Sequence, residues 1–337
     1  MKLRLGMAAL AASLACGAAH ATTPLYSTIY SFGDSLSDAG NVFAASGGTI
    51  PMPPYVAGRF SNGPNWLDDL SEKVLGAPAS PSLAGGNDFA WGGAQTGTTN
   101  ASGTLLVPSL DEQVSLFGLA DPLPKSGALY TLDIGGNDIG NALSAVAKNP
   151  LFDLSAFLSE AVGNTVGAID TLYGDGARAL LYYEVPDLSL VPAFMAGGAL
   201  GGELAMQFNE DVLAGIKPLE TGPDPLTVFD APVFSATQTI VGFPARFGFT
   251  NVTSPCLSGN FESPGTECAD PGQYLFWDGE HPTAAGHALT ADLAYDVLTG
   301  APDPIAAPEA STWAMMLIGF GGLGLAGWRA RARRRAS

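Results

Sequence analysis

Histidine is nearly absent from this chain: there are three in 337 residues, and His20 lies in a leader-like start. An imidazole base must therefore come from His281 or His287, and no histidine cluster exists to hold a catalytic metal. Cysteine is equally scarce, with three residues. Cys16 falls in the leader, and neither Cys256 nor Cys268 belongs to a Cys-x-x-Cys pair, which argues against a zinc site. Cations are few as well. Of 14 Lys and Arg against 32 Asp and Glu, two precede residue 22 and five follow residue 328, leaving seven between. Such a surface repels a phosphate backbone, which argues against nucleic acid as a partner, and it offers no basic clamp for phosphoryl or sulfuryl transfer. No Gly-x-Ser-x-Gly pentapeptide occurs, so a nucleophile elbow of the α/β-hydrolase kind has no candidate.

What is present divides the chain. Lys2 and Arg4, an apolar stretch from Leu5 to Gly17 and the small-residue site Ala19-His20-Ala21 predict a signal peptide over 1–21. An exported chain with an even cysteine pair predicts a Cys256–Cys268 disulfide across a loop rich in Gly, Pro and Ser. The main domain is expected over 22–300, followed by a Pro- and Ala-rich linker over 301–307 and a tail over 308–337. In the tail an apolar run from Ala314 to Trp328 precedes an arginine cluster. As a helix it would span ~22 Å at ~1.5 Å per residue, short of a bilayer core of ~30 Å. Trp313 and Trp328 suit membrane interfaces, and the arginines favour a cytoplasmic end. We read the tail as a transient membrane contact.

Between leader and tail, apolar β-branched and aromatic runs alternate with helical patterns. Strands are expected at Thr28–Phe32, Ala128–Ile134, Ala179–Val185 and Leu226–Phe229. Helices are expected at Asn65–Leu75, Leu110–Leu119, Leu154–Leu172, Glu203–Ile216 and Thr283–Leu298, the last with an apolar face of Ala285, Leu289, Leu293 and Val297. This alternation predicts an α/β fold, a mostly parallel sheet with helices on both sides. Reactive residues in such folds gather at the carboxyl ends of strands.

Ser35, in Gly33-Asp34-Ser35-Leu36-Ser37-Asp38-Ala39-Gly40-Asn41, directly follows the first strand. A serine hydroxyl is a weak nucleophile that needs a base. Asp278 and His281, in Asp278-Gly279-Glu280-His281-Pro282, are three apart, so a turn lets the carboxylate hold Nδ1 and free Nε2 for the serine proton. Thr283 is placed to cap the final helix, and His287, inside that helix, reads as a packed or surface residue. Oxyanion donors are available from the Ser35 N–H, from Gly92 or Gly93 in Trp91-Gly92-Gly93-Ala94, and from the Asn137 amide in Gly135-Gly136-Asn137-Asp138. Each run taken alone reads equally well as a turn. No metal or cofactor is called for.

In this order the four runs resemble the blocks of the GDSL, or SGNH, family of esterases and lipases, with Asp88-Phe89-Ala90-Trp91-Gly92-Gly93-Ala94 as the second block. The resemblance implies a three-layer α/β/α sandwich with a flavodoxin-like parallel sheet. It assigns Ser35 as nucleophile, His281 as base and Asp278 as its orienter, with Ser35, Gly93 and Asn137 forming the oxyanion hole. Asp88 departs from the asparagine usual at its position, which touches second-block hydrogen bonding more than catalysis. The tail, with Pro308-Glu309-Ala310 ahead of its apolar run, is similar to the PEP-CTERM sorting signal. That implies an exosortase as processing partner and a secreted or cell-surface protein of a Gram-negative bacterium. The expected activity is hydrolysis of carboxylic esters, with lipid or phospholipid acyl esters favoured. A polysaccharide O-acetyl esterase, or a non-catalytic cell-surface binding protein on the same scaffold, is the alternative. Val107, Leu116, Phe117, Phe194, Met195 and Phe243 are candidates either for an acyl channel or for core.

Overall fold

The run Thr-Ile-Tyr-Ser-Phe-Gly at Thr28–Gly33 forms strand β1, buried along almost its whole length, as a strand covered on both faces must be. It pairs in parallel with β2 (Ala128–Asp133), which pairs with β3 (Ala179–Tyr183), and that strand pairs with β4 (Thr227–Ala231). The computed structural model describes residues 25–56, 58–97, 100–121, 127–302 and 305. The expected signal peptide and sorting tail lie outside the described residues, and no described helix is long and apolar enough to cross a membrane.

Residues 87–91 run along the other edge of β1. Ser31 N–H donates to the Asn87 carbonyl (3.1 Å), Phe89 N–H to Ser31 (2.7 Å) and Trp91 N–H to Gly33 (3.1 Å). With that segment counted as the second strand, the order is the flavodoxin-like 2-1-3-4-5. The switch point of such a sheet lies between β1 and β2, and a crevice opens beyond their carboxyl ends.

Helices α1 (Trp66–Leu75) and α7 (Ala284–Thr299) pack on each other, while α2 (Leu110–Ala120), α3 (Gly136–Lys148), α4 (Leu154–Gly174) and α5 (Leu200–Ile216) form a second group. The starts of α1 and α2 are written locally. Asn65 with Asp68, and Ser109 with Glu112, are capping boxes, each satisfying two otherwise orphaned amides. Thr283 caps α7 by accepting from Gly286 N–H.

Besides the one-turn helix Asn41–Ala45, two longer helices escape the sequence reading. Helix α3 begins inside Gly135-Gly136-Asn137-Asp138, a run that reads as a turn. Helix α6 (Val233–Gly242) is half β-branched, a composition with low helix propensity. Its buried Val233, Ala236, Thr237 and Ile240 nevertheless keep the helical period, so tertiary packing overrides propensity. In α7 the expected apolar face is displaced. Of Ala285, Leu289, Leu293 and Val297 only Leu293 is buried, and the inward face carries Gly286, His287, Thr290, Ala291 and Ala294. Small and hydroxylated residues let this helix approach its neighbours closely, and hydropathy gives them no weight.

Cys256 and Cys268 are joined in a disulfide. Cys256 packs with Tyr55, Leu257 and Trp277 in a small cluster separate from the main core. That cluster stands directly behind Asp278.

Candidate active site

Ser35 sits in a tight turn closed by its neighbours. Ser37 and Asp38 N–H both donate to the Asp34 carbonyl, and Leu36 N–H donates to Asp34 Oδ1 at 3.0 Å. The Ser35 N–H carries no hydrogen bond to any described residue. Asp38 ties the turn to the 87–91 edge: its oxygens accept from Gly40, Asn41 and Val42 N–H and, at 2.9 Å, from Gly92 N–H. Asp88 serves the same joint, accepting from Ala39 and Ala90 N–H, so its departure from asparagine acts on scaffolding.

The far end of the chain arrives over this turn. His281 Nε2 lies 2.8 Å from Ser35 Oγ across 246 positions of sequence. Its Nδ1 lies 2.9 and 2.8 Å from the two Asp278 oxygens, and the Phe60 ring packs on the imidazole at 5.3 Å. Asp278 Oδ1 also accepts from Glu280 and His281 N–H, and Oδ2 accepts from the Tyr55 hydroxyl at 2.6 Å. Burial would push the Asp278 carboxyl up, but His281, Tyr55 and the amide donors outweigh it and hold it below the usual aspartate value. Burial likewise opposes charge on His281, yet the adjacent carboxylate prevails and the imidazole lies above its ordinary 6.5. His287 has no such partner: burial, with His281 nearby, drives it down to about 3, so it stays neutral.

Asn137, in the first turn of α3, donates its side-chain amide to the Ala94 carbonyl (2.9 Å) and, over a longer 3.4 Å, to Asp34 Oδ2. Its donor therefore faces the Ser35 turn. Of the two glycines, Gly92 N–H is occupied by Asp38, and a Cβ there would stand 2.3 Å from the Phe60 ring. Gly93 has φ +81°, a left-handed conformation that suits glycine, and its N–H carries no hydrogen bond to a described residue. Neither glycine is among the residues lining the cleft; of the two amides, that of Gly93 is the one not engaged by a described residue.

The cleft holds about 400 Å³ counting its mouth, with Ser35, Asn137 and His281 on one side and Leu36, Val191 and Phe194 among its apolar walls. Of the six apolar residues marked for a channel or core, Phe194 alone is among these. Val107 and Phe117 are core, Leu116 lines a separate groove on α2, and Phe243 is exposed. Only Val107 and Phe117 of the six are buried, so hydropathy by itself separated neither core nor cleft residues from exposed ones.

Residues 29–294 match the model of the GDSL-like lipase/acylhydrolase family. The chain belongs to that family. GDSL-family members are hydrolases that act on esters. An uncharacterized Pseudomonas putida protein encoded between trpE and trpG is 31% identical over 91% of this chain and 54% of its own length. Esterase EstA of Pseudomonas aeruginosa is 30% identical over 90% of this chain and 51% of its length. The GDSL esterase/lipase At4g28780 of Arabidopsis thaliana is 29% identical, covering 80% and 85%. The chain thus spans about half the length of the two Pseudomonas relatives. Among solved structures, a lipolytic G-D-S-L family member from Veillonella parvula aligns over 81% of this chain and 98% of its own, at 13% identity and a TM-score of 0.43.

Relative to the GDSL blocks, sequence reasoning missed Tyr55. It sits 223 positions from Asp278, and no local pattern marks it.

Proposed function

We propose that this chain is an exported serine esterase or lipase that cleaves carboxylic esters through an acyl-enzyme. Ser35 is the nucleophile, His281 the base and Asp278 its orienter. The 2.8 Å contact between Ser35 Oγ and His281 Nε2 carries the reading. As Oγ attacks the carbonyl carbon, its proton passes to Nε2, and Asp278 stabilises the imidazolium through Nδ1. Negative charge collects on the carbonyl oxygen, where the Ser35 N–H, the Gly93 N–H and the Asn137 amide receive it. The long contact between Asn137 and Asp34 yields to this stronger acceptor. His281 then protonates the leaving alcohol, and water attacks the acyl-enzyme by the same route in reverse.

The apolar cleft walls favour lipid or phospholipid acyl esters over acetylated polysaccharide. A disulfide suits an exported protein, in keeping with a signal peptide over 1–21, a domain over 22–300 and a tail over 308–337 processed by an exosortase. Hydrolysis of p-nitrophenyl butyrate by the full chain tests the activity. Ser35→Ala should lower kcat by 10³-fold or more, given losses of order 10⁶ for nucleophile removal in a serine protease. Undiminished turnover in that variant would remove Ser35 as nucleophile.

A further inference from the structure

The cleft carries charge of one sign. None of its lining residues is Lys or Arg, and its two acids are Asp34 and Glu280. Asp34 is buried and accepts from the Leu36 N–H and the Asn137 amide. Glu280 is exposed, and its carboxylate has no hydrogen bond or ion pair with any described residue. Its backbone is nevertheless fixed. Glu280 N–H donates to Asp278 Oδ1 at 2.8 Å, and Ala193 N–H donates to the Gly279 carbonyl at 2.8 Å. The second bond ties this turn to the loop carrying Phe194, so a free carboxylate and an aromatic ring stand on one cleft. Both attract cations, the ring through its face. The field of Glu280 reaches the triad, where it favours the protonated forms of His281 and Tyr55.

We infer that Glu280 is a specificity-determining residue, which makes the cleft select esters whose alcohol portion is cationic and reject those whose alcohol portion is anionic. The inference rests on the reading of His281 as the base. Because His281 Nε2 hands its proton to the leaving alcohol, that portion lies against His281, and Glu280 is the residue before it in the chain. A unit charge ~7 Å from a rim carboxylate changes affinity by roughly threefold to fiftyfold, depending on how much water lies between. The net charge of -18 also draws cations to the whole surface. Glu210, exposed on α5, separates that general field from the local one.

The test follows acid release from the butyrate esters of choline, of its uncharged tert-butyl isostere and of glycolate. The full chain is compared with Glu280→Gln, Glu280→Lys and Glu210→Gln, all checked for native thermal unfolding. Binding of choline and of its isostere to Ser35→Ala, and to Ser35→Ala with Glu280→Gln, is measured by calorimetry alongside. Expected is a kcat/KM that falls from the choline ester through the isostere to the glycolate ester. Glu280→Gln should shrink the choline-to-glycolate ratio by about tenfold or more while keeping the uncharged ester within about threefold. Glu280→Lys should invert the order, and Glu210→Gln should leave the ratio within about twofold. A ratio unchanged in both Glu280 variants, or shrunk as much by Glu210→Gln, would overturn the role of Glu280. No hydrolysis of any ester would sink the esterase reading. Choline then still held more tightly than its isostere, and only while Glu280 is present, would leave the cation site standing; equal binding would remove both.

Discussion

Aspartate behaves in two opposite ways within this one site. Beside the nucleophile turn, Asp34 is pushed by burial up to about 7, Asp38 and Asp138 up to about 6, and Asp88 and Asp133 well above the ordinary value. Behind the imidazole, Asp278 is just as buried yet is held below that value. The difference is the partner. Asp133 has the Asp34 carboxyl as its electrostatic neighbour, and the Ser37 hydroxyl and Trp66 Nε1 offset little of the cost. Asp278 faces an imidazole, a phenol and two amides. Two like charges in one buried place cannot both ionise, whereas a buried charge persists when opposite charge and donors surround it. Burial alone therefore does not say which acid is the working carboxylate.

The largest effect comes from neutralising one member of each group. Asp278→Asn should lower kcat by about 10⁴-fold, the size seen when a triad aspartate is replaced and the imidazole takes the wrong tautomer. Asp133→Asn is expected to keep kcat within tenfold, because an amide already resembles the protonated acid and can donate to Asp34. Equal losses measured for the two variants would erase the contrast.

Next is Tyr55→Phe. Loss of the 2.6 Å bond leaves one buried carboxylate lone pair without its donor, so kcat should fall by about tenfold. It also leaves more negative charge facing His281, so the acid limb of kcat/KM should move to higher pH. A loss without a moved limb would make Tyr55 mere packing. In the parent chain that limb should already have its midpoint above 6.5, since the proposed mechanism needs neutral His281 and its pKa is raised; His287, held to about 3, does not contribute.

The smallest effect is on stability. Asp34, Asp38 and Asp138 bind their protons more tightly folded than unfolded, so from about pH 4 to 7 the folded chain holds more protons and loses stability as pH rises. His281, also raised, acts in the same direction, while His287, neutral when folded, acts in the opposite one. Thermal unfolding should therefore show Tm several degrees higher at pH 5.5 than at pH 8, with a shallower slope in Asp133→Asn. A Tm that rises with pH would contradict these raised values.

Much of the architecture was legible locally. The four expected strands stand within a few residues of β1 to β4, because the buried parallel strands β1 to β3 are continuous apolar runs, and the half-buried edge strand β4 still carries Val228 and Phe229. Five helices were legible from their helical apolar spacing, helped by caps such as Asn65 and Thr283. Helix α6 was not, since its β-branched residues read against a helix, and the buried face of α7 was misplaced because it is built from Gly, Ala, Thr and His. Ser35, Asp278, His281 and Asn137, singled out by the scarcity of histidine, strand-end position and the block resemblance, do come together in space. That the Asp38 carboxylate occupies the Gly92 amide, in keeping with the preference for Gly93, is a contact no local pattern marks.

The sequence by itself determined which reactive groups exist and on which strand ends and turns they sit, since strand period, capping and the spacing from Asp278 to His281 act over a few residues. Only the tertiary structure decided that Tyr55 supports Asp278, that burial raises the pKa values of the acids beside Ser35, and that α6 walls a pocket next to the Ser35 turn. Desolvation and the field of a neighbouring charge depend on distance in space, and the residues that set them here lie as far as 223 and 246 positions apart in the chain.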